Sequence, residues 1–129
     1  MNIDIFLAET EHNVNNVLCL DFDGVIHNDY LGFYDGTIYG NPIDGSIEAI
    51  IELSKKYKIV IYTCKANPNR PLVNDKTGTE LIWEWLDSHN IKNCVSDVTY
   101  NKPTAIAYID DKAIKFENWN QTFDSLGLL

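Results

Sequence analysis

The sequence has few cysteines, few positive charges and no long apolar run. Its three cysteines, Cys19, Cys64 and Cys94, are scattered without a Cys-x-x-Cys pair, so neither a disulfide framework nor a zinc finger fits. No cationic segment precedes an apolar stretch at the N-terminus, and no apolar run approaches the ~20 residues that span a bilayer. These absences lead us to expect a soluble, cytoplasmic protein that does not associate with membranes.

Charge of one sign dominates the chain. The 129 residues include 19 acidic and 10 basic side chains, which gives a formal net charge of −9. This excess of negative charge argues against nucleic acid and anionic membranes as partners. Hydrophobic residues make up 45% of the chain, enough for one core, so we expect a single domain over residues 1–129. Residues 1–16, rich in Asn and Glu, are predicted to be an N-terminal appendage to it.

Three short apolar runs are typical of strands that are buried on both faces. They are 17–20, 59–62 and 105–109, and a weaker strand candidate is 94–96. Apolar residues at helical spacing lie between the runs, at 47–53 and at 80–89. The N-cap candidates are Asp44 or Ser46 for the first helix and Thr77 or Thr79 for the second. Strands that alternate with helices predict an α/β fold with a parallel sheet and flanking helices.

Residues 30–40 differ from the rest of the chain. Asp35-Gly36 is typical of a type I′ turn, and aromatic and β-branched residues flank it on both sides. The sequence therefore predicts a small β-hairpin that follows the first strand.

Polar residues follow each apolar run. They are Asp21 and Asp23 after the first run, Thr63 after the second, and Asp110 and Asp111 after the third. Because the carboxyl ends of parallel strands meet at one edge of a sheet, these groups are expected to share a crevice, to which Lys102 can add one cation. Like-charged carboxylates at ~5 Å cost roughly 3 kcal/mol per pair, so the crevice must hold a multivalent cation, protonate a carboxyl group, or both. Oxygen ligands favour Mg²⁺ over zinc.

In their order along the chain, these residues resemble the four motifs of the haloacid dehalogenase superfamily. The matching segments are Asp21-x-Asp23-Gly24-Val25, Thr63 after a strand, Lys102 before Pro103, and Ile109-Asp110-Asp111. The resemblance covers about residues 17–116 and implies a Rossmann-like core with a hairpin flap after the first strand, where 30–40 lies. The spacing between motifs leaves no room for a large cap domain, so the resemblance is to a capless member.

The resemblance also implies a role for each motif residue. Asp21 would be the nucleophile that forms an aspartyl-phosphate, and Asp23 the general acid and base, which requires a raised pKa. The Thr63 hydroxyl would donate a hydrogen bond to the phosphoryl group, and Lys102 would balance the charge on Asp21 and the phosphate. The metal ligands would be Asp21, Asp23 through its backbone carbonyl, Asp110, and Asp111 directly or through water. An Asp at the second position of the first motif is typical of the phosphatase branch.

The expected function is therefore Mg²⁺-dependent hydrolysis of a small phosphorylated metabolite such as a sugar phosphate. A nucleotidase or a polynucleotide-end phosphatase of the same superfamily is the alternative, although the net charge counts against a polymer substrate. Two non-enzyme alternatives are a receiver-like domain that is phosphorylated on Asp and an inactive binding domain. Turnover of a generic phosphomonoester separates the enzyme from both.

A few further residues have open roles. Lys65 stands where many relatives carry Arg, and whether it replaces that cation is open. His27 could contact substrate, but a lone histidine in a loop is more often exposed. Arg70, within residues 67–71, could bind substrate or belong to a rigid connector. One tryptophan of the Trp83/Trp85 pair is expected to be partly exposed and to mark a dimer contact, which would make the protein a homo-oligomer.

The aromatic residues of the predicted hairpin could contact the part of the substrate beyond the phosphate, or pack on one another. These residues are Tyr30, Phe33, Tyr34 and Tyr39.

Overall fold

The protein is an α/β domain built on a parallel sheet, which confirms the predicted fold class. A computed structural model describes residues 16–128. The predicted appendage at 1–16 lies outside the described residues except for Asn16. The strands are β1 (Val17–Asp21), β2 (Lys58–Tyr62), β3 (Asp97–Thr99) and β4 (Ala107–Ile109), and the helices are α1 (Ser46–Ser54), α2 (Gly78–Ser88) and α3 (Trp119–Ser125). Short 3₁₀ turns occupy Cys64–Ala66 and Lys92–Cys94.

The four strands are parallel and lie in the order β3-β2-β1-β4. In this register Leu20 pairs with both Ile61 and Ile109. The residues that follow β1, β2 and β4 therefore emerge at the same edge of the sheet. Along 16–128, no helix is both long and apolar enough to cross a membrane.

The core lies between the sheet and the first two helices. Its fully buried members include Phe22, Ile26, Ile50, Ile59, Ile61, Ile82, Leu86 and Ile91. Trp85 is buried and its indole N–H donates to the carbonyl of Gly40 at 3.0 Å, whereas Trp83 is half-buried. The two tryptophans thus differ in exposure as predicted. β4 and α3 are exposed at every strand position and nearly every helix position, so the C-terminal segment contributes little to this core.

The N-termini of α1 and α2 are capped in different ways. At α2, Thr77 is the N-cap, and its hydroxyl accepts the Glu80 N–H while the Glu80 carboxylate accepts the Thr77 N–H. This capping box confirms Thr77 rather than Thr79. At α1, both predicted caps are wrong, because Gly45 occupies the N-cap with φ 83° and Ser46 is already helical. The Ser46 hydroxyl instead donates to the carbonyl of Ile26 at 3.4 Å.

Two further strand predictions need correction. The third strand begins at Ala107 rather than at residue 105, and the weaker candidate lies at Asp97–Thr99 rather than at 94–96. Cys94 closes a 3₁₀ turn by donating its N–H to Ile91, whose side chain is fully buried. Val95 and Val98 then fill the next core positions, and the strand around Val98 lies three residues later than predicted.

The predicted hairpin at 30–40 is wrong, because this segment is a series of turns without strands. The turn next to Asp35 joins the Phe33 carbonyl to the Gly36 N–H, with a positive φ at Tyr34 (54°) and not at Asp35. The Asp35 carboxylate accepts hydrogen bonds from the N–H and hydroxyl of Thr37, an Asx-type turn that competes with type I′ geometry. The Tyr39 hydroxyl closes the loop by accepting from Leu31 N–H and donating to the Gly32 carbonyl.

Candidate active site

Asp21 is the last residue of β1 and lies at the centre of the carboxyl edge. It is half-buried, and one carboxylate oxygen accepts the Phe22 N–H at 2.8 Å. Burial raises the pKa of Asp21 to about 6; the Phe22 N–H opposes this rise, while the charges of Asp110, Asp111 and Asp23 add to it. The crevice thus carries the excess of negative charge that the sequence predicts.

Three carboxylates converge at this edge. Asp21, Asp110 and Asp111 each place an oxygen within 4.8 Å of the others. Asp110 follows Ile109, which pairs with Leu20, so the sheet register itself brings Asp110 beside Asp21. Three clustered carboxylates repel one another and offer hard oxygen ligands, a donor set that fits Mg²⁺. The Asp23 side chain does not belong to this cluster.

Gly24 makes the position of Asp111 possible. Gly24 has φ 85°, and a Cβ atom at this residue would overlap the Asp111 carboxylate. A glycine is therefore required here both by the backbone conformation and by the close approach of the carboxylate.

Replacement of Gly24 by alanine is expected to displace Asp111 and to weaken Mg²⁺ binding by roughly tenfold or more, because one carboxylate leaves the cluster. Backbone strain should also destabilise the fold by about 1–2 kcal/mol. Calorimetric titration with Mg²⁺ and urea unfolding measure the two effects. Gly45→Ala is the matched control, since Gly45 has φ 83° with nothing within 4 Å of its would-be Cβ. Equal Mg²⁺ affinities in the two variants would contradict the role of Gly24.

Asp23 faces a different set of partners. Its Oδ1 lies 2.8 Å from His27 Nδ1 and 2.9 Å from Lys65 Nζ. Burial of the carboxyl group acts to raise the pKa of Asp23, but the hydrogen bonds from His27 and Lys65 outweigh it and hold the pKa below its ordinary value. A raised pKa was expected for this residue, so the structure reverses the expected direction in the free protein.

His27 is fully buried, which corrects the expectation of an exposed loop histidine. Its ring stacks on Phe22 at a centroid distance of 5.2 Å. The Gly40 N–H donates to Nε2 at 2.9 Å, so Nε2 is the acceptor and Nδ1 carries the proton given to Asp23. The four-residue separation of Asp23 and His27 is the signal in the sequence that could have indicated this contact.

Thr63 and Lys65 lie on the turn that follows β2, and both are 5% exposed. The Thr63 hydroxyl accepts the Lys65 N–H at 3.2 Å and caps the short 3₁₀ turn. This turn directs the Lys65 side chain back toward Asp23. The sequence left the role of Lys65 open, and the structure shows that Lys65 forms an ion pair with Asp23.

Lys102 is placed differently from the expectation. Its Nζ lies 4.4 Å from the ring centroid of Tyr108, and the ion pairs found among residues 16–128 include none between Lys102 and Asp21. Lys102 nevertheless lines a cavity of about 110 Å³ together with Asp21 and Asp110. Among residues 16–128 it therefore shares a cavity with Asp21 without forming an ion pair with it.

A second, larger cavity of about 200 Å³ is also lined by Asp21. Its lining residues are Asp21, Asp23, Asp29, Gly32, Phe33, Thr63, Cys64, Lys65 and Arg70. Asp21 is the residue that this cavity shares with the smaller one. Of the aromatic residues of the 30–40 loop, Phe33 lines the larger cavity, while Tyr30 and Tyr34 pack edge-on against Tyr39.

Comparison with family models, with curated proteins and with solved structures found no match for this chain.

Proposed function

We propose that this protein is a capless phosphomonoester hydrolase with a Rossmann-like core of the haloacid dehalogenase type. The observation that carries the proposal is that Asp21 belongs to two groups of residues at once. It is a member of the carboxylate cluster with Asp110 and Asp111, and it lines a cavity together with Asp23 and Thr63. A nucleophile, an acid–base group and a set of metal ligands thus meet at one edge of the sheet.

The residues divide the proposed reaction between them. An oxygen of Asp21 attacks the phosphorus in line, and the bond from phosphorus to the leaving oxygen breaks as Asp23 gives that oxygen a proton. Asp23 then takes a proton from the water that attacks the aspartyl-phosphate, which releases inorganic phosphate and restores Asp21. The Thr63 hydroxyl donates a hydrogen bond to a phosphoryl oxygen. Asp21, Asp110 and Asp111 would hold Mg²⁺, which when bound supplies positive charge against the repulsion between carboxylate and phosphate.

The low pKa of Asp23 in the free protein is compatible with this role. A phosphate dianion bound beside Asp23 adds a like charge, which raises the pKa of the carboxyl group. Asp23 would then acquire its proton together with the substrate. His27 and Lys65 both hold Oδ1, and the hydrogen bonds found among residues 16–128 leave Oδ2 free to exchange that proton.

A panel of phosphomonoesters tests the proposal. The purified protein should release inorganic phosphate from at least one small ester in the presence of Mg²⁺ and lose this activity in EDTA. A stable phosphorylated Asp21 without turnover would indicate a receiver-like domain instead. Turnover that persists in EDTA would contradict the role of the carboxylate cluster.

Loss of Lys65 should shift the pH dependence of the reaction. Lys65→Met removes one of the two donors that lower the pKa of Asp23, so this pKa rises. Because a general acid must be protonated to act, the alkaline limb of the kcat/KM profile moves to higher pH. We also expect the maximum kcat/KM to fall by roughly 10- to 100-fold, because a charge-assisted hydrogen bond that positions Asp23 is lost. The measurement is a pH profile with an alkyl phosphate, whose leaving oxygen must be protonated.

Two further variants make this test specific. Lys65→Arg keeps the positive charge and should restore most of the activity and of the profile. Lys55→Met removes a lysine whose only ion pair among residues 16–128 is with exposed Glu52, so it should leave the profile unchanged. An unshifted alkaline limb in folded Lys65→Met would show that Lys65 does not act on Asp23.

A further inference from the structure

Arg70 is the only arginine in a chain of net charge −9, and it lies at the proposed catalytic cavity. It lies on the connection between β2 and α2 and lines the cavity of about 200 Å³ together with Asp21 and Asp23. A cation at this position is not needed for the roles already assigned to Thr63 and Lys65. Its position instead suggests contact with a part of the substrate beyond the scissile phosphate.

The guanidinium group has no carboxylate partner in the described part of the chain. The ion pairs found there involve His27, Lys55, Lys65 and Lys76. Lys65, the other cation of this cavity, is already paired with Asp23. The positive charge of Arg70 is therefore the one in the cavity that is available to an anionic ligand.

Phe33 holds the guanidinium group in place. The central carbon of that group lies 4.7 Å from the centroid of the Phe33 ring. Contact with an aromatic ring fixes the plane of a guanidinium group and leaves its N–H groups free to bind a carboxylate or a phosphate in bidentate fashion. A preorganised donor of this kind loses little conformational entropy when it binds an anion.

The two loops that carry Phe33 and Arg70 are packed against each other. Gly36 is buried between them, and a Cβ atom at this position would lie 2.8 Å from Val73 Cγ2 and 3.3 Å from Phe33 Cζ. This close packing fixes the distance between the turn-rich loop and the connection that carries Arg70. The pair of Phe33 and Arg70 is thus a built part of the cavity wall.

We infer that Arg70, held on Phe33, binds a second anionic group of the substrate. The inference rests on the proposed phosphatase function and defines its substrate class, a small phosphomonoester that also carries a carboxylate or a second phosphate group. The cavity of about 200 Å³ is smaller than the ~300–1,000 Å³ of pockets for drug-sized ligands, which favours a small metabolite. Asp29 also lines the cavity and would repel an anion placed near its own carboxylate, so the second anion belongs at Arg70.

Matched pairs of substrates test this inference. Phosphoglycolate and 2-hydroxyethyl phosphate are close in size and differ by a carboxylate, while propane-1,3-diol bisphosphate and its monophosphate differ by a phosphate. Wild-type protein should prefer the member with two anionic groups in at least one pair. The pair that shows the preference tells whether Arg70 binds a carboxylate or a second phosphate. Arg70→Met should raise KM for that member by about 10- to 100-fold and for its partner by less than about twofold.

Three more variants separate binding from structure. Arg70→Lys should retain part of the preference, and Phe33→Leu, which keeps an apolar side chain without the ring, should weaken it. Lys55→Met, a control away from the cavity, should leave the preference unchanged. If Arg70→Met affects both members of each pair alike, or if wild-type protein shows no preference, the inference is wrong.

Binding without turnover keeps this test independent of the proposed function. Calorimetric titration with phosphonoacetate and with methylphosphonate, which lack a hydrolysable P–O–C ester, should show tighter binding of phosphonoacetate by wild-type protein and no such difference in Arg70→Met. If no phosphomonoester is turned over, the proposed function fails, while the phosphonate titration still decides the role of Arg70. Equal binding of the two phosphonates by wild-type protein would show that Arg70 does not bind a carboxylate of the substrate. Equal binding of propane-1,3-bisphosphonate and propylphosphonate would likewise show that it does not bind a second phosphate.

Discussion

Asp21→Asn is expected to lower phosphatase activity by roughly 10³-fold or more, because the amide cannot act as the attacking oxygen. The measurement is kcat/KM for p-nitrophenyl phosphate with saturating Mg²⁺. Asp87→Asn, an exposed aspartate on α2, is the matched control and should retain full activity. A folded Asp21→Asn protein with more than a few per cent of wild-type activity would rule out Asp21 as the nucleophile.

The same variant should be more stable than wild-type protein when no cation is present. The pKa of Asp21 is raised from 3.8 to about 6, so this carboxyl group stabilises the fold fully below its unfolded pKa and loses that contribution as the pH rises through about 6. Asparagine does not titrate. The stability difference in favour of Asp21→Asn should therefore grow between pH 4 and pH 6 and reach about 1–2 kcal/mol at pH 7.5, after allowance for solvent screening.

Urea unfolding in EDTA at pH 4.5 and pH 7.5 measures this difference. Saturating Mg²⁺ should reverse its sign, because the wild-type cluster has one more charged ligand than the variant. A stability difference that does not depend on pH would mean that the fold does not raise the pKa of Asp21.

Asp23→Asn is expected to slow turnover by roughly 10²- to 10⁴-fold, the range for loss of a general acid–base group. The loss should be smaller for p-nitrophenyl phosphate than for an alkyl phosphate, because p-nitrophenolate leaves without being protonated. Rates for both esters with the wild-type and variant proteins measure this split.

Asp44→Asn is the control here, since Asp44 is exposed and precedes α1. It should change neither rate. Equal losses for the good and the poor leaving group in Asp23→Asn would show that Asp23 does not protonate the leaving oxygen.

The sheet could be predicted because its physical signal is strong and local. Continuous apolar runs such as Ile59-Val60-Ile61 occur where a strand is buried on both faces, and the runs assigned to β1 and β2 are confirmed. Once the strands are parallel, the residues that follow them must meet at one edge. The convergence of Asp21, Asp110 and Asp111 followed from this rule without any knowledge of side-chain conformation.

The features that were missed depend on contacts between distant residues. The burial of His27 arises from Phe22, Trp85 and the backbone of Gly40, none of which is marked by periodicity around His27. The pKa of Asp23 is lowered, opposite to expectation, because His27 and Lys65, the latter 42 residues away, both donate hydrogen bonds to its carboxylate.

The turn at residues 33–36 was missed for a different reason. The hydrogen bonds that the Asp35 carboxylate accepts from the N–H and hydroxyl of Thr37 compete with the backbone turn that Asp-Gly usually favours.

The exposed edge strand β4 has a consequence for how the molecule fluctuates. Two of the three clustered carboxylates, Asp110 and Asp111, follow β4, whose residues are all exposed and pair only with β1 in the described sheet. Asp21, in contrast, is the half-buried end of β1, whose other four residues are buried. Segments with little buried area open at a small fraction of the global unfolding free energy. A cation held between β1 and the end of β4 would be bound only while this segment is docked, so binding would stabilise the docked state. Each opening of the C-terminal segment would release the cation, and amide exchange in β4 would slow as the fraction of protein with bound cation rises.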